Sequence, residues 1–130
     1  MLATTSKRVE THTKPEVNER IHRQADRLIT YFRHHPQEIR ERLDELDREW
    51  DIERVLETQF GSLVVFGTLM SLLTRNKWWL TLAGIPGAFM VEHAIQGWCP
   101  PMPLWRRAGV RTAREIEEER CALKKLLNEE

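Results

Sequence analysis

The sequence predicts an all-α protein with a membrane-embedded middle, and three observations predict it. Apolar residues recur every three or four positions in the charged segments at both ends. Only three of the forty charged residues, Arg75, Lys77 and Glu92, fall within residues 58–98. That low-charge stretch is divided by a polar turn and flanked by tryptophans. The architecture expected is a flexible tail over 1–12, a charged amphipathic helical hairpin over 13–51, a two-helix transmembrane hairpin over 52–98, and a Pro-rich exit with a C-terminal cytoplasmic amphipathic helix over 99–130.

In the N-terminal segment, Thr13 and Glu16 have the spacing of a capping box, in which each side chain takes an orphan amide of the first helical turn. Val17, Ile21, Ala25, Leu28 and Phe32 then form one stripe of a helix that stops at His34-His35-Pro36, because proline disfavours the α conformation in the residue before it. Pro36 fits the first turn of the next helix, whose stripe is Ile39, Leu43, Leu46 and Trp50. The two stripes are expected to pack on each other. A change of phase to Ile52, Val55 and Leu56 predicts a break near Asp51.

Residues 58–74 carry no charge and would make about 25 Å of helix at 1.5 Å per residue. A second uncharged run covers 78–91 and extends across Glu92 to Trp98. Both approach the ~20 apolar residues that a bilayer core requires, and both are apolar nearly all round. Arg75-Asn76-Lys77 is the turn between them, and Trp78-Trp79 and Trp98 stand where an interfacial aromatic belt would. Gly67 with Ser71, Ala83 with Gly87, and Gly84 with Ala88 form small-residue ridges that let helices approach closely in lipid. Pro86 frees the carbonyl of Leu82 and predicts a kink. Beyond Trp98, Cys99-Pro100-Pro101-Met102-Pro103 predicts an extended exit. Thr112 and Glu115 form a second capping box ahead of a closing helix with Ile116, Leu123 and Leu127 on one face and charges that complement its dipole.

Twenty Lys and Arg balance twenty Asp and Glu in 130 residues, which leaves no global basic field for nucleic acid, and the charges are too mixed with apolar residues for a disordered acidic chain. Cys99 and Cys121 give neither a disulfide framework nor a zinc site. The first fifteen residues lack the apolar region and cleavage pattern of a secretory signal.

With its hairpin between IERVLETQF and GWCPPMPLWRRAGVRT, the chain resembles the YgaP-type inner-membrane domain family, a small bacterial two-helix membrane module sometimes fused to a rhodanese domain. The likeness covers about residues 52–112, and its sharpest part is Gly97-Trp98-Cys99-Pro100, followed by Leu104, Trp105 and Gly109. It implies two transmembrane helices, frequent dimerisation and no established activity for the membrane module. Glu92 and His93 depart from the more apolar family hairpin. The anion loop of a rhodanese is absent from this sequence, so sulfur transfer does not carry over.

Candidate functional residues are few. Glu92 and His93 are ionisable groups at the edge of a membrane segment, where such groups either act as a proton-responsive or metal-touching site or reach toward water. Cys99 is a thiol at a helix exit, although it follows the C-terminal end of a dipole, which does not stabilise a thiolate. His12, His22, His34 and His35 show no metal-ligand spacing, and no Ser-His-Asp set, phosphate loop or dinucleotide fingerprint is present in the sequence. The expectation is a non-enzymatic membrane-anchored interaction or scaffold module without a cofactor or metal. It would lie in the bacterial inner membrane with both termini cytoplasmic. Its partners would be membrane lipid, a second copy and a cytoplasmic protein, and not nucleic acid. The alternatives are a soluble or peripheral bundle using residues 58–98 as a homodimer core, and a thiol carrier acting through Cys99.

Overall fold

The all-α expectation holds. The structure, a computed structural model, describes residues 4–128, which form seven α-helices and one 3₁₀ turn with no strand among them. A short helix, α1 (Arg8–Thr11), lies within the expected tail, because Val9 is buried against residues far away in sequence. Residues 1–3 of that tail lie outside the described residues. Pro15 opens α2 (Pro15–Arg33), with extended Lys14 before it and no side-chain cap. The expected Thr13–Glu16 capping box does not form. The Thr13 hydroxyl instead donates to the Val9 carbonyl at 2.6 Å, which ties the end of α1 to the start of α2. Pro36–Glu38 makes a 3₁₀ turn that leads into α3 (Ile39–Arg48).

The stripes of α2 and α3 meet in one core that also includes α7 (Ala113–Asn128), which the sequence does not place there. Both pack on α7. Phe32, Ile39, Leu46, Ile116 and Leu123 form that three-helix core, with Leu28, Ile29, Leu43, Leu126 and Leu127 around it. The Thr112–Glu115 box that starts α7 forms as expected. The Glu115 amide donates to the Thr112 hydroxyl at 3.1 Å, and the Thr112 amide donates to the Glu115 carboxylate at 2.8 Å.

Asp51 marks the break before α4 (Ile52–Thr74) and caps it by accepting from the Arg54 amide at 2.8 Å. Arg75, in the left-handed conformation at φ 56°, ends α4 and turns the chain into α5 (Trp79–Gln96). The two helices run antiparallel along each other, as Phe60 on Phe89 and Phe66 on Trp79 show. Of the expected pair of membrane-spanning helices, only one has the length and composition for it. Among the described residues, one candidate span, within Pro36–Thr74, is long and apolar enough to cross a membrane, and its apolar part is the charge-free run of α4. α5 falls short because Glu92, His93 and Gln96 occupy its last turns.

The proline-rich exit is a turn that runs into a short helix, not an extended strand. Pro101 caps α6 (Met102–Arg107), and Pro103 sits in its first turn, where a missing amide leaves no bond unmade. A second core joins hairpin, exit and N-terminus: Val9, Ile52, Leu56, Phe60, Cys99 and Met102. The molecule therefore consists of a charged three-helix bundle and an apolar hairpin, coupled through α1 and α6.

Candidate functional site

The hairpin surface is the first feature a partner would meet. Leu72 and Leu73 are 72% and 78% exposed, and Val65, Leu69, Ile85 and Val91 are more than half exposed. Inside the hairpin the close approach is made at Gly67, where an added Cβ would lie 2.9 Å from the Ala83 amide and the Trp79 carbonyl. The small-residue positions thus separate into two groups. Gly67 and Ala83 meet at the α4–α5 contact, with Ser71 half-buried. Gly84 and Gly87 have nothing within 4 Å of an added Cβ, and Ala88 is exposed.

The structure does not bring Glu92 and His93 together. Glu92 is exposed on the outside of α5, whereas His93 is 1% exposed and turns inward to α4. Its Nε2 lies 2.8 Å from one oxygen of Glu53, and Arg8 of α1 donates to the other oxygen at 2.9 Å. His93 Nδ1 is buried with no hydrogen-bond partner among the described residues. Arg8 also packs on Gly97, whose φ of 79° and missing Cβ leave room for the α1 backbone; a Cβ there would clash with the Arg8 backbone and side chain. Sequence reasoning singled out His93 but missed Glu53 and Arg8. Their shared signal is the antiparallel hairpin itself, which returns the end of α5 to the start of α4.

Cys99 is fully buried in the junction core. Burial pushes its thiol up to about 11, the Met102 amide pulls it partly back, and the nearby Glu53 charge pushes it further. A thiol so placed is a poor nucleophile at neutral pH. Cys121, to which the sequence assigns no role, is exposed on α7.

The bundle buries a second set of charges. Arg106, 0% exposed, spends all five donors: on both oxygens of Glu115, on Thr13 at 3.2 Å, on Asn18 at 2.9 Å and on the Val110 carbonyl at 3.1 Å. Burial alone would raise the Glu115 carboxyl; hydrogen bonds from Arg106 and the Thr112 amide, with the charges of Arg106 and His22, hold it below the usual range. Next to it, Arg111 bridges Glu49 and Glu119, and Arg42 reaches Glu119 at 2.8 Å. Burial works against the charged form of Arg111, but its two carboxylate partners prevail and raise its proton affinity.

Glu10, His22 and Glu115 bring three potential metal-ligand atoms within 4.8 Å of one another. Their chemistry fits a hydrogen-bond network better than a cation site. Both Glu115 oxygens are already taken by Arg106, with the Thr112 amide on one and His22 at 3.0 Å on the other, and the neighbouring guanidinium opposes a second cation. Comparison with family models, with curated proteins and with solved structures returns no match to this chain.

Proposed function

We propose that this chain is a small non-enzymatic membrane-anchored interaction module, with α4 and α5 in the bilayer and the bundle displayed on the cytoplasmic side. The observation that carries this reading is the inverted polarity of the hairpin, whose large apolar side chains point outward from Val65 to Leu73 on α4 and at Leu80, Ile85 and Val91 on α5. α4 would span, and α5 would accompany it with its polar last turns at the water boundary. The resemblance of residues 52–112 to the YgaP-type domain supports the same reading, with the bacterial inner membrane as its site. Arg40, Arg42, Arg48 and Arg54 ahead of the charge-free run and Arg106, Arg107, Arg111 and Arg114 after the hairpin, against Arg75 and Lys77 in its turn, favour cytoplasmic termini. The bundle would dock a cytoplasmic protein or the bundle of a second copy.

One observation favours the runner-up, a homodimer whose core is the hairpin in water: Gly61, Gly84 and Gly87 face open space, where another helix would fit closely. Alkaline carbonate extraction of a membrane fraction separates the two readings. The membrane module stays in the pellet, whereas a monodisperse, detergent-free species in the supernatant would establish the soluble dimer.

A further inference from the structure

The N-terminal strap crosses the open end of the hairpin and is held there by few contacts. Val9 enters the junction core, Arg8 lies in the space left by Gly97, and Arg8 pairs with Glu53. Glu53 is shared: Arg8 holds one oxygen and His93 the other. With His93 neutral, its Nε2–H donates to Glu53, and the cluster contains one cation and one anion. With His93 protonated, two cations share one carboxylate in a site where the imidazole is 1% exposed, and the new Nδ1–H has no acceptor. Like charges in a poorly solvated site raise the free energy of the loaded state. Withdrawal of Arg8 is the simplest relief, because Arg8 sits on a four-residue helix and its side chain reaches solvent at one edge.

We infer that Glu53, His93 and Arg8 form a proton-sensitive latch, in which protonation of His93 releases the N-terminal strap α1 from the mouth of the hairpin. Histidine as a class changes charge between about pH 5 and 8, which sets the range over which the latch is tested. The other charged or titratable groups at the site are Cys99, a buried thiol close to Glu53, and Arg114 of α7, which lines the same 260 Å³ cavity as Arg8 and Glu53. Arg114 is paired with Glu118 at 3.2 Å and is 38% exposed, so it adds little charge to the cluster. Glu92, on the same helix as His93, is exposed and faces away. The inference goes beyond the membrane reading and does not depend on it, since lipid or a second copy around the hairpin leaves its mouth unchanged.

Hydrogen exchange by mass spectrometry on the full chain in detergent micelles tests it, at pH 5.5 and 7.5 with rates normalised to the intrinsic exchange at each pH. Protection at the amides of Thr11, His12 and Thr13 is expected to fall roughly tenfold at the lower pH, within the usual range of coupling between two sites. Protection over 116–123 in α7 should stay constant. His93→Gln should remove the pH response. By reciprocity, Arg8→Gln should make His93 take up its proton at higher pH, read from its imidazole resonances, and this second measurement stands if His93→Gln fails to fold. His12 ends α1 and His22 rests on Glu115, so a pH response that survives His93→Gln belongs to them and overturns the latch. Equal strap protection at both pH values, parallel loss in α7, or an unmoved His93 titration in Arg8→Gln would overturn it as well.

Discussion

The bundle and the hairpin use the same element, an α-helix packed on α-helices, to opposite ends. In the bundle, charges enter the interior only in pairs: Arg106, Arg111, Glu115 and Glu119 are all nearly inaccessible, and each has its partner at hydrogen-bond distance. Along the charge-free run of the hairpin there is nothing to pair. Glycine lets backbones touch, and the bulky apolar side chains look outward. Specificity therefore rests on a polar lattice in one region and on shape in the other. Mutations should respect that division.

The largest effect is expected in the lattice. Arg106→Ala strands Glu115 as an uncompensated buried charge, a loss of about 3–5 kcal/mol for a broken buried pair. Thermal unfolding should show the bundle melting early, with exchange protection in α7 lost before protection in α4. Falling pH acts on the same pair. Glu115 is held below its ordinary range, so its contribution is present above that range and disappears as pH drops through its folded-state value. Arg106→Ala should flatten that acid limb.

The hairpin is broken by volume instead. Gly67→Leu drives a side chain into the backbone of α5 and should weaken the hairpin by about 1–3 kcal/mol or more, as overpacking does. Gly84→Leu meets open space and should leave the hairpin intact. Crosslinking in detergent sharpens the contrast. A dimer lost in Gly84→Leu with the hairpin preserved would assign the open glycines to a second copy.

Cys99 marks the seam between the two regions. Its thiol is pushed from an ordinary 9.0 to about 11, so the folded state keeps a proton that the unfolded state gives up. Stability should be level below pH 9 and decline as pH rises toward 11, and Cys99→Ala should remove the slope. Native alkylation at neutral pH should consume Cys121 well before Cys99. The smallest effect is at the α7 cap, where Thr112→Ala should cost about 1 kcal/mol in chemical denaturation while leaving hairpin exchange unchanged.

What the sequence made legible was local. The Thr112–Glu115 box, the break at Asp51 and the turn at Arg75 depend on residues within one helical turn, and all three stand. The box at Thr13 has the same spacing and fails, because Thr13 is drawn to Val9 and Arg106 once α1 docks. α1 itself was invisible: a single apolar residue in a polar tail carries no period, and its helix is bought by contacts with Ile52 and Met102. The exit prolines pointed away from helix, yet Pro101 caps α6 and Pro103 sits in its first turn, where proline is tolerated, while Pro100 lies in the turn before them. Of the candidate site, His93 stood out in the sequence as an ionisable group in an apolar run. Its true partner, Glu53, is forty residues upstream and becomes its neighbour only when the hairpin closes. The Arg106–Glu115 pair was hidden for the same reason, since a turn separates its members and nothing in their spacing marks them.

The central claim is that the outer surface of the hairpin faces lipid while the bundle faces water. Nitroxide labels at Val65, Leu69 and Leu72, compared with labels at Arg40 and Glu117, test it directly in a cysteine-free background reconstituted into vesicles. Molecular oxygen should dominate relaxation at the three hairpin positions and a water-soluble nickel chelate at the two bundle positions. Hairpin labels that the chelate reaches as readily as the bundle labels, or that exclude both reagents as a protein core does, would contradict it.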